Sequence, residues 1–266
     1  MDWWVGYLLL GLFVGLFAGM LGIGGGTLLV PLMVFMFSAQ QFAEDRMLHL
    51  AIGTSLATIV FTSMSSIRAH HKRGAVRWDI FRQAAIGLAI GTIVGAFIAD
   101  RMNSRYLAIV FVTFVVYSAI QLILDKKPKA SRQLPGRAGM AGSSGLIGII
   151  SSLVGAGGGV VTIPLMVMCN VPMRNAVGTS AALGLPIALA GAAGFIYTGL
   201  DQTNLPPMSL GYIYLPALFG IVAGTFVTVP IGAKLAHSMP VSRLKKIFAV
   251  ILSVLAAKML WSLFSG

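Results

Sequence analysis

Charge is what this sequence has least of. Only 10% of its 266 residues are Asp, Glu, Lys or Arg, and just seven are acidic, where a soluble domain carries about a quarter charged residues. That scarcity excludes a disordered chain and almost any soluble enzyme. Cysteine is nearly missing as well. Cys169 stands alone, so no intrachain disulfide, CxxC pair or Cys/His cluster exists, and neither a metal nor a cofactor is expected. A P-loop and an HExxH motif are also absent, which leaves ATP-driven transport and zinc proteolysis unsupported. What is plentiful is apolar: 57% hydrophobic residues with a mean hydropathy of +0.90. This is the composition of an all-α polytopic membrane protein. The opening MDWWVGYLLLGLF lacks the basic stretch of a secretory signal. Its Trp3, Trp4 and Tyr7 read instead as an interfacial anchor on the first membrane segment.

Ten apolar segments are expected, five on each side of the polar run DKKPKASRQLPGR. The first five are 4–21, 27–37, 48–67, 80–99 and 106–124. The second five are 138–154, 160–169, 176–198, 210–233 and 244–264. The sets resemble each other in order and spacing. GIGGGTLLVPLM (22–33) matches GAGGGVVTIPLM (155–166), AIGTSLA (51–57) matches AVGTSAA (176–182), and Gly91–Thr92 matches Gly224–Thr225. The chain therefore divides into repeat 1 (1–124), a linker (125–137) and repeat 2 (138–266), together one membrane domain.

Loop charge sets the orientation, because Lys and Arg accumulate on the cytoplasmic side. Arg68, Lys72, Arg73, Arg77 and Arg82 surround the loop between segments three and four, whereas its counterpart, 199–209, has no Lys or Arg. Lys234, Arg243, Lys245 and Lys246 crowd the last loop, whose counterpart has only Arg101 and Arg105. Matching loops thus fall on opposite faces and the repeats are expected to be inverted, as in many secondary transporters. The linker is expected in the cytoplasm and both termini in the periplasm of a bacterial inner membrane. The formal charge of +12 is then positive-inside bias among membrane lipids, not a nucleic-acid surface. Lys258 falls inside the last segment, to snorkel or face another helix. A homo-oligomer is left open as a further partner.

A spanning helix needs about 20 residues. The second and seventh segments have about half that, and each follows three glycines and carries Pro31 or Pro164. The expectation is a helix, a glycine turn and a short returning helix in each repeat, entering from opposite faces. Non-helical backbone at membrane depth must be buried in protein or line a wet cavity, and the turns are expected to line such a cavity. The short helices' N-termini would then offer unsatisfied N–H groups and a positive dipole end to a small anion. Gly24, Gly25, Gly26 and Thr27 in one half, with Gly157, Gly158 and Gly159 in the other, are the candidate substrate-binding residues. Thr54–Ser55 and Thr179–Ser180 would add hydroxyl donors. Close helix packing is the competing reading of the glycines, and interhelical hydrogen bonding that of the Thr-Ser pairs. His49 and Arg174 precede the two GTS motifs at matched positions, as candidates for drawing anions into each mouth or, for His49, for coupling to protons. On this reading Gly25→Val or Gly158→Val abolishes transport and leaves the fold intact.

One enzymatic signal competes. Gly142-Ser143-Ser144-Gly145 matches the GxSG of rhomboid-type proteases, but a serine nucleophile needs a base within reach. The only downstream histidine is His237, in the last loop. Tight helix packing explains the run equally, so no catalytic residue is assigned.

The doubled motifs, GIGGGTLLVPLM with AIGTSLA and then GAGGGVVTIPLM with AVGTSAA, resemble those of the sulfite exporter TauE/SafE family of membrane permeases over nearly the whole chain. The resemblance implies transport of sulfite, sulfonates or related organic anions across the cytoplasmic membrane, coupled to protons or another ion gradient. It maps the family's glycine-rich motifs onto residues 22–27 and 155–160. A carrier for another small anion, such as a carboxylate, is the alternative within transport; a non-transporting membrane scaffold is the alternative outside it.

Overall fold

The computed structural model describes residues 3–21, 25–124, 133–235 and 241–265. It contains α1 (Trp3–Leu21), α2 (Gly26–Ala39), α3 (Glu44–Lys72), α4 (Trp78–Arg101), α5 (Ser104–Leu124), α6 (Arg137–Val154), α7 (Gly159–Met168), α8 (Met173–Gly199), α9 (Leu215–Leu235) and α10 (Val241–Ser265). Six of these helices, α1, α3, α4, α5, α8 and α9, are long and apolar enough to cross a membrane. The short second and seventh helices are present, at 14 and 10 residues. At 1.5 Å per residue neither spans the hydrocarbon. Most of the expected linker, like Gly24 and His237, lies outside the described residues.

The small residues that dilute the helices are their contact faces. Gly87, Gly91 and Gly95 of α4 meet Ser144, Gly145 and Ser152 of α6 in the same order, so these two helices run parallel at close range. Gly220, Gly224 and Gly232 of α9 meet Tyr7, Leu8 and Leu16 of α1 in the same way. Spacing of four residues puts each glycine set on one helix face, where backbones approach closely without Cβ atoms. Ser144 belongs to this packing: its hydroxyl donates to the Ala141 carbonyl (3.0 Å) and lies against Gly87. At the centre, α3 and α8 cross antiparallel, Gly53 against Phe195, Leu56 against Gly191 and Ser63 against Gly184. They are the most deeply buried of the six candidate spans. The pairs α1 with α9 and α6 with α4 exchange when each helix is renumbered by five. The pairs α3 with α8 and α5 with α10 map onto themselves. Large exposed side chains such as Ile86, Ile90, Phe219, Phe226 and Trp261 line the periphery.

One element departs from the expected outline. The ninth segment was drawn from residue 210, yet α9 begins at Leu215, and the residues before it form a small antiparallel hairpin of β1 (Ser209–Leu210) and β2 (Ile213–Tyr214). Gly211 turns it in the left-handed region (φ +53°). Its backbone then presses so close to α8 that a Cβ at Gly211 would lie 2.2 Å from the Ile196 carbonyl oxygen. Tyr212, apolar by composition, is fully buried as part of this plug and not as a helical residue.

Candidate functional site

The two glycine turns have one construction. Gly25 (φ +66°) and Gly158 (φ +73°) are left-handed N-caps of α2 and α7, a conformation that glycine adopts without a Cβ penalty. The Gly25 carbonyl accepts from the amides of Leu28 and Leu29, and that of Gly158 from Val161 and Thr162. Neither helix has a side-chain cap or an acidic residue in its first turn. The turns touch. A Cβ on Gly26 would lie 2.4 Å from the Gly155 carbonyl oxygen and 3.1 Å from the Ala156 Cα. Gly157 sits between Ile59 and Gly184, and Gly159 is buried at the start of α7. Where the sequence suggested a wet cavity, Gly25, Gly26 and residues 155–160 are all buried and face protein atoms. Beside them, the Thr27 hydroxyl is buried (2% exposed) with no hydrogen-bond partner; its counterpart is Val160.

The Thr-Ser pairs are occupied in this conformation. Thr54 donates its proton to the Leu50 carbonyl (2.7 Å) and accepts the Tyr214 amide (3.0 Å). Thr179 accepts the Arg77 amide (2.9 Å). Ser55 donates to the Gly155 carbonyl (2.8 Å), tying α3 to the second glycine turn. Thr162 donates to the Gly158 carbonyl (3.0 Å), which leaves Ser180 as the donor in its 2.6 Å bond to Thr162. The hydroxyl protons of Thr54, Ser55 and Ser180 are therefore engaged by protein. Each GTS motif is a dock for the loop before the other half's fourth helix. Its glycine completes the dock: a Cβ on Gly53 would lie 2.3 Å from the Tyr212 carbonyl oxygen, and one on Gly178 2.7 Å from that of Ala75. The sequence displayed both glycines inside a repeated motif, but not the loops that they receive.

His49 and Arg174, the candidates for the two mouths, have different surroundings. Arg174 is exposed and donates to the Arg73 carbonyl. His49 is fully buried, bonded through Nε2 to the Ala99 carbonyl (2.8 Å) and stacked on Tyr212, with ring centroids 5.3 Å apart. Three residues that sequence reasoning passed over join it. Tyr212 donates its hydroxyl proton to Asp100 Oδ1 (2.8 Å), and Arg46 lies 3.8 Å from the same carboxylate. Burial, with that carboxylate as acceptor, pushes the Tyr212 phenol far above the usual tyrosine range, so it stays a donor. Arg46 and Asp100 were visible only as isolated loop charges, and no local pattern joins them to Tyr212.

The chain matches the Sulfite exporter TauE/SafE family over residues 7–259. A probable membrane transporter protein of Haemophilus influenzae is 36% identical over 254 residues, covering 95% of this chain and 96% of the relative. Probable membrane transporter proteins of Bacillus subtilis and Methanocaldococcus jannaschii are 25% and 26% identical, each over 95% of this chain and 95% and 94% of their own lengths. No solved structure matches. With its apolar helices and its doubled glycine turns, the chain belongs to the TauE/SafE family and is a multi-pass membrane transporter of that type.

Proposed function

We propose that this protein is a secondary transporter that moves a small sulfur-containing anion, sulfite or a sulfonate, across the cytoplasmic membrane by alternating access. The observation that carries the reading is the contact of the uncapped N-terminus of α2, at Gly26, with residues 155–156 of the turn that leads to the equally uncapped α7, beside the unpaired Thr27 hydroxyl. Such helix ends favour an anion by roughly 0.3–2 kcal/mol each. Buried as they are, they correspond to a closed conformer, and the anion enters when the halves part. The donors are then the turn amides of Gly25, Gly26, Gly158 and Gly159, with Thr27. Gly157 shapes the pocket, and Ser55 and Ser180 brace the turns. His49 and Arg174 stay as candidates for coupling and entry.

Alternating access rests on the halves being inverted repeats. Three packing directions support this: α3 antiparallel to α8, α1 parallel to α9, and α4 parallel to α6. α4 also runs parallel to α8, with Thr92 by Gly191 and Ala96 by Gly194, and α9 runs along α3 from Tyr214 at Thr54 to Thr225 near Thr62, so α1, α3 and α4 each run against the helix five places on. The linker then lies in the cytoplasm and both termini in the periplasm of a bacterial inner membrane, with lipid around the exposed apolar periphery. A carboxylate carrier is the second reading, because a donor set of amides and one hydroxyl does not itself select sulfur.

Proteoliposomes containing this chain alone, loaded against labelled sulfite, test both readings. Uptake suppressed by taurine or sulfoacetate and not by acetate is the expected result. Equal suppression by acetate selects the carboxylate reading, and absence of any flux overturns transport.

A further inference from the structure

The hairpin plug closes one end of the bundle through groups that compete for a single carboxylate. We infer that His49 is a proton-binding site whose charging unlocks the hairpin from Asp100. The proposal rests on the transport reading above, for it gives that transporter a coupling proton and an element that the proton moves.

The geometry is specific. His49 is 0% exposed, and its Nε2–H donates to the Ala99 carbonyl at 2.8 Å. That bond selects the tautomer in which Nδ1 carries a lone pair, and Nδ1 has no hydrogen-bond partner. A buried polar atom left without a partner is rare enough to require a reason. Here the reason is that Nδ1 is the place where a proton arrives. The charged and polar groups around the ring come from three elements. Burial is the largest influence on the ring and opposes its charge; against it, the C-terminal end of α4 brings the carbonyls of Ala99 and Met102 and the carboxylate of Asp100, all attractive to an imidazolium. The imidazole's own helix, α3, brings the guanidinium of Arg46, which repels it, and Asp45 near Tyr212. The hairpin brings Tyr212, face to face with the imidazole and itself packed on Phe195 of α8.

Asp100 is the shared partner. In the closed form Tyr212 donates to its Oδ1 at 2.8 Å, and Arg46 stands 3.8 Å away. A proton on Nδ1 creates a buried cation and a new donor, which draw this carboxylate more strongly than a neutral phenol does. The Tyr212 ring face offers the imidazolium some attraction, but its hydroxyl loses the acceptor that pins the hairpin. The remaining bonds come from backbone amides: Tyr212 to the Phe195 carbonyl and Tyr214 to Thr54 Oγ1 pin the hairpin to the bundle, and Leu215 to the Met208 carbonyl closes its base. Those three amides report directly on release.

The test is amide hydrogen exchange of residues 208–215 in the purified full chain, at pH 5.5 and 7.5 and without substrate, expressed as protection relative to the unstructured rate so that the chemistry of exchange cancels. H49Q is the informative variant, because the glutamine amide still donates to Ala99 but takes no proton. Wild-type protection is expected to fall about tenfold or more on acidification, and H49Q protection to stay constant. D100N, which removes the contested charge, is expected to show weakened protection that no longer depends on pH. Constant protection in the wild type, or an equal fall in wild type and H49Q, overturns the inference. Because no transported solute enters this measurement, a negative result leaves the anion site at the glycine turns standing. Failure of sulfite flux, conversely, leaves a pH-dependent hairpin intact.

Discussion

The Thr54 end and the Thr179 end of the bundle share one backbone lock but are sealed by different material. At each, a helix glycine admits a loop carbonyl and the following threonine accepts the loop amide two residues on. At the Thr54 end the docked residues are Tyr212 and Tyr214. Tyr214 joins Tyr7, Phe37 and Phe42 in a cluster of edge-on and stacked rings. At the Thr179 end the corresponding residues are Ala75 and Arg77, and the counterpart of Tyr7 is Met140. Met140 borders an apolar crevice of about 20 Å³ with Ile80, Leu134 and Leu183. The motif therefore sets where a loop docks, and the side chains that follow set how firmly. Aromatic rings bury 150–250 Å² each, an alanine far less. On the proposed transport cycle the Thr179 end is the weaker closure and is expected to open first.

The largest effect expected from this asymmetry is at the motif glycines. Gly53→Ala puts a methyl 2.3 Å from the Tyr212 carbonyl oxygen, in a hairpin held on several sides, and costs about 2–3 kcal/mol. Gly178→Ala meets the Ala75 carbonyl oxygen at 2.7 Å. Ala75 is buried, but residues 71–74 before it are exposed and let the loop retreat, so about 1 kcal/mol is expected. Apparent melting temperatures of the two variants in detergent compare them. Equal losses would remove the distinction between the ends.

Thr54→Val and Thr179→Val sharpen the same point at lower cost. Each takes the acceptor from a loop amide while nearly preserving shape. The Tyr214 amide lies within the plug, and its loss of a partner costs about 1–2 kcal/mol. The Arg77 amide ends a loop flanked by the exposed Gly74 and Trp78, where water can replace the hydroxyl, so Thr179→Val costs under about 1 kcal/mol. Thermal stability separates them, and hydrogen exchange at Tyr214 and Arg77 shows which amide is freed.

These expectations depend on partners that no local reading of the chain supplies. The doubling, the half-length helices and the glycine turns before them were legible, because repetition, length and three consecutive glycines are local properties. The occupation of Thr54 and Thr179 was not. A hydroxyl's availability depends on whether a backbone amide is brought to it from 160 or 102 residues away. Tyr212 stayed hidden for the same reason, since its burial comes from a path that turns at Gly211. The turn substitutions suggested by sequence also change meaning. Gly25→Val and Gly158→Val impose a β-branched residue on φ +66° and +73°, with Cβ contacts at 3.1 Å and 2.8 Å, so they strain the fold as well as the site. Gly157→Ala is the cleaner probe: its φ lies outside the left-handed region and its nearest neighbour is 3.6 Å away.

The smallest stability change expected carries the most information about function. Thr27 places a fully unpaired hydroxyl at the first turn of α2, where the other half has Val160. Thr27→Val removes that hydroxyl with little change of shape and makes the two turns alike. A residue that serves only packing gains from this change, by up to about 1 kcal/mol, because a buried polar atom without a partner is a cost. A residue that donates to an anion gains the same stability and loses substrate, with KM for flux rising about tenfold, the worth of one hydrogen bond to a charged group. Melting temperature and the KM for flux, measured together, separate the two. A rise in both places the Thr27 hydroxyl on the substrate. A rise in melting temperature alone leaves the backbone amides as the donors and makes the site symmetric. Val160→Thr is the reciprocal change. It lowers KM if the second turn faces the same anion, and otherwise only destabilises the fold by adding another unpaired hydroxyl.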